Sequence, residues 1–254
     1  MFSGPTLFTG NNKILLKSVP STNAYALDLV SKSKPPEGTV VIADNQTQGR
    51  GQMGSKWISA PDKNATFSLI LYPNFLKPSA SFTLNKVISL GVADALKNLG
   101  IKEACIKWPN DIYVRKLKIG GILIQTAVNS SSIQSAVCGI GLNVNQTDFE
   151  PSLPNPGSLM SLTGKVWDLE SVLSEIFKQI EVKYLQVKSG RENLLHTDYL
   201  SSLMAYQTLQ NFKDAAGRKF SGRVIGVNPQ GKLMLEKIEG IVEYDMKEIS
   251  WNFE

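Results

Sequence analysis

The chain has 254 residues, 42% of them apolar and 19% charged, a balance that fits a soluble globular protein with one sizeable domain and room for a small second one. Its 27 basic and 22 acidic residues leave a net charge of +5, which favours an acidic protein partner, a nucleotide or nucleic acid without choosing among them. One histidine and two cysteines give little material for a zinc cluster, a disulfide framework or a histidine-based triad. No run approaches the roughly 18 to 20 apolar residues of a membrane span, and Met1-Phe2-Ser3-Gly4-Pro5 lacks the basic start and apolar core of a leader, so the expected location is cytoplasmic, with no membrane partner.

Residues 1–12 are polar and contain Gly and Asn, which predicts a loosely held arm with no room for a DNA-binding helical domain. Residues 13–19 read as a strand ended by Pro20. Ser21-Thr22-Asn23 then offers an N-cap to the amphipathic helix 24–30, placing Ser21 and Thr22 where backbone N–H groups and the helix dipole favour a polar or anionic ligand. A strand is expected over 39–44, another over 65–72, and a helix over 82–99 closed by Gly100. Three β-rich runs follow, 104–114, 118–125 and 136–145, joined by short polar segments as an antiparallel meander whose face would carry the active site. The two cysteines, Cys105 and Cys138, fall inside these runs and are expected as buried, reduced thiols. His196 lies in one of two helices predicted near 169–188 and 192–205 and reads as a surface or capping residue. Beyond 208, turns at 214–217, 228–231 and 239–240 separate short strands, which predicts a small β-barrel.

Between the strands over 39–44 and 65–72 lies Gln46-Thr47-Gln48-Gly49-Arg50-Gly51-Gln52-Met53-Gly54-Ser55-Lys56-Trp57. A segment with three glycines and two cations cannot bury itself, yet it can aim backbone N–H groups and an Arg at one anion, so it reads as a phosphate or acyl-phosphate clamp. Gly49, Gly51 and Gly54 also satisfy G-x-G-x-x-G. A dinucleotide fingerprint, however, needs glycines tight against a strand end and opening a helix, and Pro61 and its neighbours deny that helix.

Three further groups hold chemistry-bearing residues. In Lys107-Trp108-Pro109-Asn110-Asp111, the proline breaks the strand and presents Asn110 and Asp111, a pair able to bind Mg²⁺ or steer an amine, although an ordinary turn has the same composition. Lys118-Ile119-Gly120-Gly121 sets a compact cation beside exposed backbone, as a phosphoryl-transfer site or a surface hairpin would. Gly139-Ile140-Gly141-Leu142-Asn143 offers a small-residue floor for a flat ligand, or a bulged core strand.

Together with Ser21-Thr22-Asn23, these groups give the chain its resemblance to biotin protein ligases of the monofunctional type. That resemblance implies an α+β fold, a mixed and antiparallel sheet with helices like that of class II synthetases and of biotin and lipoyl ligases, over 13–207, followed by a C-terminal SH3-like β-barrel over 208–254. It implies activation of biotin by ATP and Mg²⁺ to biotinyl-5′-AMP, then transfer to a lysine of a biotin carboxyl carrier protein or carboxylase domain, by a monomer or weak homodimer that binds no DNA. Ser21, Thr22, Gln46, Gly49, Arg50, Lys118, Gly121, Leu123, Gly139 and Gly141 would bind biotin. Arg50, Trp57, Asn110, Asp111, Lys118 and Asn143 would bind ATP, with Asn110 and Asp111 on the metal side and Arg50, Lys118 and Asp111 as the catalytic set. The family's clamp usually carries more Arg, where this chain has Gln52, Met53 and Ser55.

Two rivals stand beside this reading. A lipoate or octanoate ligase or transferase shares the architecture, but its Arg-Arg and Ser-Gly-Gly-Gly-like signatures and a nucleophilic cysteine setting are not found. A nucleic-acid-binding barrel would use Arg218, Lys219, Arg223, Lys232 and Lys237, but the aromatics around them are too scattered for a stacking platform.

Overall fold

The computed structural model describes residues 6–252, apart from the side chain of Met53. One seven-stranded sheet organises the first four-fifths of the chain. Strands β1 (Lys13–Val19) and β2 (Val40–Gln46) run parallel, as their crossover through helix α1 (Thr22–Lys32) requires. All other pairings in the sheet are antiparallel. Strand β2 pairs with β3 (Ala65–Leu71), and β3 with β7 (Ile133–Leu142), the last strand of a meander that begins with β4 (Ala104–Lys107), β5 (Asp111–Val114) and β6 (Leu117–Val128). The order across the sheet is therefore β1-β2-β3-β7-β6-β5-β4.

The run expected over 104–114 is two strands. Pro109 cannot donate to a ladder, so the chain turns at Trp108-Pro109-Asn110 and Lys107 pairs with Asp111. This turns the expected three-run meander into four strands and sets Asp111 at a strand's first residue.

Every residue of β3 is buried, because helices cover both faces of the sheet at its centre. Helix α1 packs Ala26 against Val41, Ile70 and Val137 on one face. On the other lie α2 (Phe82–Asn98), buried over most of its circumference, and α4 (Leu169–Lys188), whose Ile176, Phe177, Ile180 and Tyr184 join the main core. Helix α5 (Glu192–Ser202) ends three residues before the expected 205, and the short α3 (Leu159–Thr163) was not expected at all. Ser158 and Ser161 supply a capping box there, each side chain bonding the other's backbone N–H. No described helix is long and apolar enough to cross a membrane.

Five more strands, β8 (Leu209–Asp214), β9 (Lys219–Val227), β10 (Leu233–Lys237), β11 (Gly240–Tyr244) and β12 (Ile249–Trp251), make an antiparallel sheet ordered β11-β10-β9-β8-β12, consistent with an SH3-like module. The turns read at 214–217, 228–231 and 239–240 join the successive strands β8 to β11. Phe212, Val224, Leu233, Leu235 and Ile249 belong to the same apolar cluster as the large sheet's core, so the module is packed onto the rest of the chain.

Two expectations are corrected. Residues 1–5 of the arm lie outside the described residues, but from Leu7 onward the arm is tied down. The backbone N–H groups of Leu7, Phe8 and Thr9 all donate to the buried Glu181 carboxylate at 2.6 to 2.9 Å. Cys138 is buried as expected, whereas Cys105, at the outer strand β4, is only partly so.

Candidate active site

The clamp leaves the end of β2 and folds into a small hairpin. Arg50 pairs with Lys56, the Gly51 N–H donates to the Ser55 carbonyl at 2.7 Å, and the Trp57 N–H donates to the Gly49 carbonyl at 3.0 Å. The hairpin lays the Trp57 indole across the glycines of β6 and β7. A Cβ built on Gly141 would overlap the indole ring, and one on Gly121 would stand 3.3 Å from it, so only glycine leaves this floor flat enough. The Trp57 Nε1–H is buried there without a protein partner.

Against the same floor stands the start of α1, with Ser21 as its N-cap, so the helix begins at Thr22, two residues earlier than expected. The Gln46 side-chain oxygen accepts from the Thr22 backbone N–H at 2.9 Å and from the Thr22 hydroxyl at 3.2 Å, and that hydroxyl also meets Ser68 Oγ at 2.9 Å. Asn23 donates to the Leu123 carbonyl at 3.3 Å, while its own Oδ1 is buried and unpaired. These groups form a polar end in which hydrogen-bond directions are largely fixed before any ligand arrives.

The charged end is built by β5 and β6. Lys118 Nζ lies 2.7 Å from Asp111 Oδ1. Lys107, with its ammonium 5.0 Å from the Tyr113 ring centre, has its pKa lowered by burial, against the pull of Asp111 and with the push of Lys118. Asn110 spends its amide N–H on the Ile122 carbonyl, and its own carbonyl accepts the Ile122 N–H at 3.0 Å.

Both ends open into one cavity of about 350 Å³, within the usual range for a small-molecule site. Ser21, Thr22, Gln46, Arg50, Trp57, Asn110, Asp111, Lys118, Gly121, Leu123, Gly139 and Gly141 all line it. Gly49 lines the adjoining outer cleft instead. Asn143 is displaced from the wall: its amide braces the Gly157 carbonyl at 2.9 Å and its Oδ1 is buried without a partner. In the wall, Thr66, Phe67, Leu153 and Pro154 lie outside every motif read from the sequence, and Asn23 and Ile140 lie inside motifs without an assigned role. Asn23 and Ile140 had a local signal, one beside Thr22 at a helix start and the other inside the glycine-rich floor motif; Thr66 and Phe67 arrive through the register of β3 on β7.

Among the described residues, Asp111 is the one carboxylate in this wall, and no three His, Cys, Asp or Glu residues are grouped to hold a metal. Neither cysteine is a nucleophile in waiting, since burial pushes Cys105 up to about 11 and Cys138 up to about 12. The cations of the C-terminal module are engaged locally. Arg218 pairs with Asp214, Arg223 with Glu236, and Lys237 lies 4.0 Å from the Phe220 ring centre.

The model of the biotin/lipoate A/B protein ligase family matches residues 15–143, slightly more than half of the chain and every strand that lines the cavity. The chain belongs to this family. Among its curated relatives, the bifunctional ligase/repressor BirA of Bacillus subtilis is 31% identical over 244 residues, covering 94% of this chain and 74% of the relative. The biotin–[acetyl-CoA-carboxylase] ligase of Mycobacterium tuberculosis is 27% identical over 219 residues, 85% of this chain and 80% of the relative. Among solved family structures, the biotin protein ligase of Aquifex aeolicus in complex with biotin and ATP superposes with a TM-score of 0.79 at 28% identity, covering 95% of this chain and 99% of that one.

Proposed function

We propose that the chain is an ATP-dependent biotin protein ligase that forms biotinyl-5′-AMP and then passes biotin to a lysine of a biotin carboxyl carrier protein. The observation that carries the reading is the meeting of Arg50 and Lys118, from the clamp and from β6, in the wall of one glycine-floored cavity. The family match and the Aquifex relative's complex with biotin and ATP support it.

In the first step a carboxylate oxygen of biotin attacks the α-phosphorus of ATP, the bond to the β-phosphate oxygen breaks, and pyrophosphate leaves. Two anions must approach each other, which Arg50 and Lys118 make possible by neutralising the carboxylate and the α-phosphate as charge builds on the phosphoryl oxygens. The polar end made by Thr22, Gln46 and Asn23 holds the ureido ring, whose N–H and C=O groups match fixed acceptors and donors.

Mg²⁺ fits this wall as an ion carried by the triphosphate: sites of that kind use one or two carboxylates plus phosphate oxygens, and Asp111 supplies one. Asn110 can contribute only through its side-chain oxygen, because its amide N–H is committed to Ile122. Bound there, the ion would offset charge on the departing pyrophosphate.

In the second step the acceptor lysine's neutral amine attacks the acyl carbon, the bond to phosphate breaks, AMP leaves, and the nitrogen gives up one proton to solvent as the amide forms. Asp111 is the acceptor-side group that orients this amine. Meanwhile the clamp, with Trp57 as its cover, excludes water from the mixed anhydride. Incubation with biotin, MgATP and an apo carrier domain, followed by mass spectrometry, tests the reading. One biotinylated lysine supports it, and acylation only with lipoate or octanoate overturns it.

A further inference from the structure

The C-terminal module meets the larger domain at the turn that precedes Asp111. Trp108, 5% exposed, donates its indole N–H to the Gly231 carbonyl at 2.8 Å across 123 residues of sequence. Gly231 closes the 228–231 turn, whose geometry is itself fixed. Its N–H bonds the Asn228 carbonyl at 3.0 Å, Asn228 Oδ1 accepts the Lys232 N–H at 2.9 Å, and Asn228 Nδ2 donates to Glu243 at 2.8 Å. At Gly231 φ is +92°, and a Cβ would stand 2.5 Å from the Phe82 ring, so the turn sits tightly on α2 as well.

On the other side, Trp108 belongs to the turn that joins Lys107 to Asp111, and Asn110 of that turn is bound twice to Ile122 of the cavity wall. The hairpin that carries Asp111 is thus gripped from both sides, by β6 through Asn110 and by the small module through Trp108.

We propose that Trp108 is a positioning residue for the ATP half of the reaction: its bond to Gly231 uses the C-terminal module to set where Asp111 stands. This rests on the ligase reading above. The bond touches neither the α1 end nor the glycine floor, so its loss is felt at the nucleotide and not at biotin.

The test is Trp108→Phe, which keeps an aromatic ring in the packed site and removes only the donor. Biotin affinity is measured by calorimetry, and kcat and KM for ATP by biotin-dependent pyrophosphate exchange. The expected result is a roughly three- to tenfold fall in kcat/KM for ATP, the size of one lost hydrogen bond, with biotin affinity unchanged within twofold. Phe82→Leu, which loosens the same contact without removing the bond, serves as the control for packing and is expected to leave ATP parameters unchanged at a similar loss of thermal midpoint. Unchanged ATP parameters in Trp108→Phe overturn the inference, as does an equal fall in biotin and ATP affinity, or an equal effect of Phe82→Leu. A wild-type chain inert toward biotin and ATP overturns the ligase reading itself.

Discussion

Asp111 Oδ1 and Lys118 Nζ stand 2.7 Å apart, facing each other across the β5–β6 hairpin in the wall of the cavity. Both side chains are partly exposed, so the pair contributes about 1 kcal/mol or less to stability. In the proposed reaction the contact serves to place a cation and a carboxylate where a phosphate would arrive. Lys118→Ala is expected to slow adenylation by about a hundredfold, the typical loss for one charge-stabilising group, while shifting the thermal midpoint by only a few degrees. Single-turnover formation of the adenylate, set beside calorimetric melting, checks it. A large loss of stability with intact turnover would mark the lysine as structural.

Thr22 links three elements through Gln46 and Ser68. Thr22→Val keeps the shape and the backbone bond but removes the hydroxyl, and with it the second bond to Gln46 and the contact with Ser68. KM for biotin should rise about tenfold and KM for ATP stay constant. Steady-state kinetics with each substrate varied decides this, and a change confined to ATP would contradict the assignment of the polar end.

Trp57 covers the floor with a buried, unpaired N–H. Trp57→Ala should raise the rate at which the adenylate is lost to water by about tenfold, since the anhydride loses its lid, without weakening biotin binding. Following hydrolysis of preformed adenylate in the absence of an acceptor gives the rate directly. Weaker biotin binding with normal retention would place the indole under the substrate instead of over the intermediate.

His196 is held neutral chiefly by burial and next by Lys86, whose ammonium lies 3.1 Å from Nδ1, with Glu192 acting in the opposite sense. Its pKa in the folded chain is thus below the ordinary value of about 6.5, and the unfolded chain takes up the proton first as pH falls. The stabilising contribution is complete above that ordinary value and is lost as pH drops through the folded pKa. Urea midpoints measured from pH 7.5 to 5.5 should fall more steeply for the wild type than for His196→Asn, and identical slopes would contradict the account.

With thiols raised by burial to about 11 and about 12, only a trace of either cysteine is ionised at pH 7.5. Iodoacetamide at that pH should leave biotin-dependent activity intact. Rapid inactivation, protected by an acyl substrate, would favour a cysteine acyltransferase instead.

Much of this was legible in the chain because local chemistry determines it. Pro109 marked the strand break before Asp111, Gly100 the end of α2, and 214–217, 228–231 and 239–240 the turns of the small sheet. The arm was misread because the partner that orders it, Glu181, lies about 170 residues away on α4. Asn143 reads as a ligand group in its motif, yet long-range packing turns its amide to Gly157. Thr66 and Phe67 reach the cavity only through strand register, and the Trp108–Gly231 bond exists only once the C-terminal module has docked. Sequence patterns carry periodicity and turn chemistry; they do not carry the pairing of distant strands.

The central claim is that biotin's carboxylate and ATP are brought together by Arg50 and Lys118 in one cavity, and exchange of labelled pyrophosphate into ATP tests it most directly. The account predicts exchange that depends on biotin, is not supported by lipoate or octanoate, and is nearly abolished in both Arg50→Ala and Lys118→Ala. Exchange driven by lipoate or octanoate alone, or biotin-dependent exchange undiminished in both variants, would contradict it.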